Sequence, residues 1–379
     1  MKKILFFLES LAGGGAEKVL TDIVCYLDKS KYDITVCTVT DGGVYQERVS
    51  SVCHYRSLLQ ASDYRAGGFR KGFFWLKMKM LYLLPAKVIY NHSFKERYDI
   101  EVAFIEGYAT KIIAASPNGS SKKIAWVHSD LLKNAYADKS YSNLNVHRDA
   151  YEKYDQIVCV SEGVKKAFPQ KIFSDHRVVV QHNPVDERII LQQAQEPISC
   201  THQRDKLLLG SIGRLEQVKG YLRLLKCAKI LHDKRYPFAL WIIGKGSQQD
   251  QLEKYILEND LTDTVRLLGF QSNPYKYMNQ CDAFICSSYA EGFSTAATES
   301  LILGKPVFTV DCAGMNELIG ESACGKVVPN TDEALYQLFE EVVSCQIDMG
   351  QYAKNAEERG RAFRMNARIS EIDNLLSTL

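Results

Sequence analysis

The chain has little of what would take it out of the ordinary globular class. Only 9 of its 379 residues are proline, against 24 glycines and 46% hydrophobic residues, which excludes collagen-like, low-complexity and disordered readings. No uninterrupted run of about 18 apolar residues occurs, so no segment reads as a membrane-spanning helix. The opening apolar run, Ile4 to Leu8, imitates a signal peptide but stops at Glu9, short of a usual signal core, and reads instead as a first buried strand. The 11 cysteines are odd in number, scattered and never spaced C-x-x-C, as expected of reduced thiols in a cytosolic protein. The formal charge is only +2, and no nucleic-acid-binding motif or concentrated basic stripe stands in the second half, which argues against a nucleic-acid partner.

What is present begins with length. A chain of 379 residues suits two or three domains. Short β-branched runs alternate with amphipathic stretches, the pattern of parallel sheets covered by helices. The spacing predicts strands at Lys3 to Leu8, Asp33 to Val39, Asp99 to Ile105, Lys123 to Val127, Gln156 to Val160 and Arg177 to Val180. Val19, Leu20, Ile23, Val24 and Leu27 share one helical face between the first two. After a polar segment read as a linker, Glu187 to Asp205, the pattern restarts with strands at Leu207 to Ile212, Phe238 to Ile243, Thr264 to Leu268, Ala283 to Cys286 and Val307 to Val310. The last stretch, Gln351 to Leu379, is helical in composition. Ligands of open α/β sheets bind outside the carboxyl ends of the strands, so the strand-to-helix turns are where chemistry is expected.

Four turns stand out. Gly13-Gly14-Gly15-Ala16-Glu17 lets backbone approach a ligand closely and leads into a helix start that offers N–H groups to an anion, or is a plain tight turn. It is not a dinucleotide fingerprint, because Lys18 stands where the third glycine belongs. Gly320 to Lys326 is one residue short of a phosphate-binding P-loop, since Val327 replaces the hydroxyl residue and the helix lies before rather than after it. In Gly213-Arg214 to Lys219-Gly220, two cations five residues apart can converge on a diphosphate, or remain solvated on the surface. In Glu291-Gly292-Phe293-Ser294, Ser294 is a candidate N-cap. Glu291 then lies in the loop and Glu299 about one and a half turns into the helix, which ends at Gly304-Lys305-Pro306.

Taken in order, Gly13 to Glu17, Val127-His128, Val160-Ser161-Glu162, Asn183 to Asp186, Gly213-Arg214-Leu215 with Lys219-Gly220, Gly244-Lys245-Gly246, Leu268-Gly269-Phe270, Asp282-Ala283-Phe284, Glu291 through Glu299, Gly304 to Val307 and Gly314 resemble the retaining, nucleotide-sugar-dependent glycosyltransferases of family 4. The resemblance implies the GT-B fold: two Rossmann-like α/β domains facing a central cleft. An acceptor-binding domain would span residues 1–190, a donor-binding domain 191–359, and a C-terminal helix from about 360 to 379 would cross back to the first domain. It also implies roles. Arg214 and Lys219 would neutralise the donor diphosphate, a task given to a metal elsewhere, so neither metal nor cofactor is expected. Glu299 would accept hydrogen bonds from the ribose, and Glu291 would lie near the transferred sugar. The backbone from Gly292 through Phe293 to Ser294 would lie against sugar and phosphate. His128 would face the sugar as a catalytic residue, unless it is a packed or surface histidine. Gly14 and Gly15 would approach the donor phosphate and acceptor.

The implied function is transfer of a hexose or N-acetylhexosamine, with retention, from a nucleotide sugar of the UDP class to a lipid-linked or surface-polysaccharide acceptor of the capsule or lipopolysaccharide kind. The alternatives are a GT-B nucleotide-sugar epimerase and a non-catalytic nucleotide-sugar-binding subunit. Residues 65–97 carry a charge pattern of their own. Arg65, Arg70, Lys71, Lys77, Lys79, Lys87, Lys95 and Arg97 face only Glu96, with Phe69, Phe73, Phe74, Trp75, Met80 and other bulky apolar residues between them. That composition fits a helix lying in an anionic membrane interface, or an amphipathic helix packed on the first sheet. The expected location is cytoplasmic, peripheral at the inner face of the plasma membrane.

Overall fold

The computed structural model describes residues 1–174, 176–198, 205–344 and 346–379. The chain forms two compact units: Met1–Pro184 with Asn366–Leu379, and Val185–Met365.

The first unit is built on strands β1 (Lys2–Leu8), β2 (Tyr32–Thr40), β3 (His54–Leu59), β4 (Ile100–Ala103), β5 (Lys122–Val127), β6 (Gln156–Cys159) and β7 (Val178–Val180), all parallel in the order β3-β2-β1-β4-β5-β6-β7. Ile4 to Leu8 are buried without alternation, as expected for a central parallel strand covered by helices on both faces. The helix Gly15–Tyr26 buries Val19, Leu20, Ile23 and Val24, the face its periodicity marked. β3 was not foreseen. It is an edge strand with one partner, and only Leu59 of its six residues is buried, so its sequence carries little apolar signal. The helix Met365–Thr378 supplies Ile372 and Leu376 to the buried set, and Lys2 Nζ donates to its last turn at Leu376 O and Ser377 O, 3.2 and 2.9 Å.

The second unit is built on β8 (Leu207–Ile212), β9 (Phe238–Ile243), β10 (Val265–Gly269), β11 (Ala283–Cys286), β12 (Val307–Val310) and β13 (Gly325–Val328), parallel in the order β10-β9-β8-β11-β12-β13. The segment read as a linker is otherwise in its first part. Asp186 caps a helix, Glu187–Gln193, whose Ile190 is buried with Val185, Ala194, Tyr275 and Ile302. Ile190 and Ala194 within the polar stretch, with Val185 just before it, decide this, because they pack with Tyr275 and Ile302 supplied by distant sequence. Residues 199–204 of that segment lie outside the described residues.

Both sheets reverse their winding next to the first strand, between β1 and β4 and between β8 and β11. Each reversal leaves a crevice at the carboxyl ends of the strands where a ligand can enter.

No described helix is long and apolar enough to cross a membrane. The helix Gly68–Leu83 buries only Phe74, so it is not an amphipathic helix packed on the sheet by its apolar face. Phe69 is 90% exposed and Trp75 55%, and Phe73, Leu76, Met80 and Leu83 are exposed with them.

Candidate functional site

In the second unit the expected donor residues collect where β8 and β11 part. The approach of the loops is set by backbone that tolerates no side chain. A Cβ on Gly244, which has φ +146°, would lie 1.9 Å from the Gly213 carbonyl oxygen, and one on Gly220, φ +66°, would lie 2.0 Å from that of Ser287. Between these contacts the turn after β8 carries Arg214, exposed, and Lys219, half-buried.

Lys219 Nζ lies 2.7 Å from Glu291 Oε1, and Ser288 Oγ donates to the same oxygen. Burial by itself would lower the Lys219 pKa, but the Glu291 charge and hydrogen bond outweigh it and the net shift is upward. Lys219 is therefore a fixed cation at neutral pH, and Arg214 is near enough to act on it electrostatically. Next in the chain, Phe293 is buried and its ring lies 6.0 Å from that of Phe363. Gly292 presents its carbonyl to Gly314, where a Cβ would come within 2.5 Å. Ser294 caps the helix Thr295–Ile302 by accepting from the Ala297 amide. Glu299 is buried in that helix and its Oε1 accepts from Tyr275 Oη at 3.0 Å.

Arg223 escaped the sequence reading. It is buried and donates from Nε to Ser287 O at 2.7 Å and from Nη2 to Ser288 O at 2.9 Å, with its guanidinium 4.0 Å from the Tyr289 ring centroid. It thus braces the loop that carries Glu291. Its one local signal was its place in the first turn of the helix that follows Lys219-Gly220.

In the first unit the glycine turn follows β1, with Gly14 as N-cap and Gly15 opening the helix. The expectation that this helix start offers free amides is corrected for two of them. The Gly13 and Gly14 amides donate to Glu17 Oε2 at 2.6 and 2.7 Å, and Ser10 Oγ donates to Oε1 at 2.6 Å. Glu17 closes a capping box, so its carboxylate already occupies the position expected for an anion at those two amides.

His128 follows β5. Its ring packs against Phe104 at 5.0 Å and Trp126 at 6.5 Å between centroids, and its Nε2 is buried without a hydrogen-bond partner among the described residues. Burial pushes its pKa down to about 3, so the imidazole is neutral. Beside it lies Glu106, also missed. This carboxylate is buried at the end of β4 and accepts from the His128 amide at 2.9 Å and from Ser129 Oγ. Burial raises its pKa, against those hydrogen bonds. An acid before a glycine, Glu106-Gly107, just past a strand was the available signal.

Among the described residues no group of three His, Cys, Asp or Glu side chains is arranged to hold a metal ion. The second-unit site instead sets two fixed cations and a carboxylate around one crevice, an arrangement that can bind a diphosphate and stabilise charge as it develops there.

Comparison with known proteins agrees in kind. The family model "Glycosyltransferase Family 4" matches residues 13–188, and "Glycosyl transferases group 1" matches 193–360. The chain is 27% identical over 371 residues, 96% of each chain, to the N-acetylgalactosamine-N,N'-diacetylbacillosaminyl-diphospho-undecaprenol 4-alpha-N-acetylgalactosaminyltransferase of Campylobacter jejuni. It is 28% identical over 172 residues, 41% of this chain and 42% of the other, to the amylovoran biosynthesis glycosyltransferase AmsK of Erwinia amylovora. Among solved structures, Anabaena Alr3699/HepE in complex with UDP and glucose superposes with a TM-score of 0.76 at 20% identity, over the whole of both chains.

Proposed function

Since the chain belongs to the GT-B glycosyltransferases of the bacterial polysaccharide-biosynthesis type, we propose that it moves a hexose or N-acetylhexosamine, with retention, from a UDP-sugar to a lipid-linked saccharide. The observation that carries this is the Lys219–Glu291 pair at 2.7 Å, set with Arg214 at the mouth of the helix that holds Glu299. Breaking an anomeric bond leaves negative charge on the nucleoside diphosphate and positive charge on the sugar ring. Arg214 and Lys219 stabilise the first, Glu291 the second, and the cations make a metal unnecessary for that purpose. Glu299 accepts from the ribose. With these charges in place, same-face attack assisted by the departing phosphate oxygen needs no carboxylate nucleophile of the kind retaining glycosidases use. His128, neutral, can act only as an uncharged hydrogen-bonding group and carries no charge to the reaction.

The donor class is supported by Anabaena HepE, solved with UDP and glucose, and the acceptor class by the Campylobacter relative, whose name specifies a diphospho-undecaprenol substrate. The exposed apolar and cationic residues of Gly68–Leu83 would bring the enzyme to the anionic membrane face where such an acceptor resides. The test is a nucleotide-sugar panel read by thermal stabilisation and by slow donor hydrolysis. A UDP-sugar should stabilise the protein without added divalent metal, and a response limited to other nucleotides, or dependent on metal, would overturn the reading.

A further inference from the structure

The crevice of the first unit, between β1 and β4, holds a side-chain group that the donor chemistry does not use. Glu9 stands one residue past β1, half-buried, and accepts from Tyr136 Oη at 2.9 Å through Oε2, while its Oε1 has no partner among the described residues. The Tyr136 ring is 44% exposed. The last turn of the helix Gly68–Leu83 carries Tyr82, whose ring lies 4.6 Å from that of buried Tyr108. Tyr108 Oη in turn donates to Leu81 O at 2.8 Å and pins that helix end to the crevice. Tyr82 lies close enough to Glu9 and to Tyr136 for a charge on one to be felt at the other.

We propose that Glu9, Tyr136 and Tyr82 form the subsite that holds the accepting sugar. A sugar offers hydroxyl donors at its rim and an apolar C–H face. A partly buried carboxylate oxygen suits the first, and exposed aromatic faces suit the second. The same group disfavours a diphosphate. Burial first, and then the like charges of Glu106 and Glu17, raise the Glu9 pKa against the Tyr136 hydrogen bond. A neutral polyol is accepted there at no such cost. The inference names the acceptor site of the transferase reading and so rests on that reading.

The test uses the full chain, its UDP-sugar donor and a panel of soluble para-nitrophenyl glycosides as acceptors. Glu9→Gln and Tyr82→Leu should each raise the acceptor KM about tenfold, and Tyr136→Phe, which removes one hydrogen bond, about fivefold. Donor KM and acceptor-independent donor hydrolysis should stay within about twofold, with unchanged melting temperatures showing that the variants fold. Intact donor hydrolysis with acceptor KM unmoved in all three variants, or with no glycoside of the panel accepted, would overturn the subsite alone. Absence of donor hydrolysis by the unmodified protein would overturn the transferase reading, and this one with it.

Discussion

Lys219 and Glu291, 72 positions apart in sequence, form a 2.7 Å ion pair in which the lysine is 23% and the glutamate 10% exposed. Removing one partner leaves the other charge poorly solvated. Lys219→Ala is therefore expected to cost roughly 2–3 kcal/mol of stability, less than a fully buried pair would. Lys219→Ala with Glu291→Ala should cost less than the two changes summed. A double-mutant cycle by denaturant unfolding measures this, and strict additivity would show that the pair contributes nothing.

Arg214 is exposed, so Arg214→Ala should leave the melting temperature unchanged while lowering turnover and donor affinity together, by about 10²-fold in kcat/KM. Glu299→Gln should act mainly on donor KM, about tenfold, because it alters a hydrogen-bonding group rather than a developing charge. Steady-state kinetics with the responding nucleotide sugar check both, and normal transfer in both variants would remove these residues from the site.

His128 should show itself in stability rather than as an acid in catalysis. Its folded pKa, near 3, lies below the ordinary 6.5, so between those values the unfolded chain binds more protons there. Its contribution is fully present above about pH 6.5 and is lost as pH falls toward 3. Unfolding of the native protein at pH 7 and pH 5, compared with His128→Asn, should show the native chain losing up to about 2 kcal/mol more on acidification. Parallel pH profiles would mean that the imidazole is not held neutral.

Arg223 donates to two carbonyls of the loop before Glu291. Arg223→Lys keeps the charge but not the fork, and leaves a carbonyl unpaired in a buried place. A loss of roughly 2–3 kcal/mol is expected, together with a fall in kcat greater than any change in acceptor KM. Calorimetry and kinetics on the same preparation test it.

Cosedimentation with anionic vesicles should be strong at low salt and fade as salt rises. Lys71→Glu with Lys77→Glu should weaken it by roughly thirtyfold, at about 1 kcal/mol per lost cation, and further through the added repulsion. Phe69→Ser with Trp75→Ser should weaken it at all salt concentrations, because it removes buried area rather than charge. Failure of the native protein to sediment would end the membrane assignment.

Much of this protein was legible in its sequence. The strands that lie inside the sheets carry mostly apolar runs because both of their faces are covered, and the helix caps at Ser294 and Gly304-Lys305-Pro306 follow from local backbone chemistry that needs no partner. The positions of Arg214, Lys219 and Glu291 on strand-to-helix turns, and of Glu299 in the helix after Ser294, were readable for the same reason. Tertiary structure alone decided what each of those groups meets. It joined Lys219 to Glu291 and set Arg223 beneath their loop. It also turned Glu17 onto the Gly13 and Gly14 amides and placed Glu106 under the His128 backbone, with Glu9 on Tyr136. It left the face of Gly68–Leu83 uncovered, and it made a helix of Glu187–Gln193. Periodicity and composition report a residue's own preference for burial or turn. Pairing of charges, and whether an apolar face finds a cover, depend on segments brought together only by the winding of the sheet.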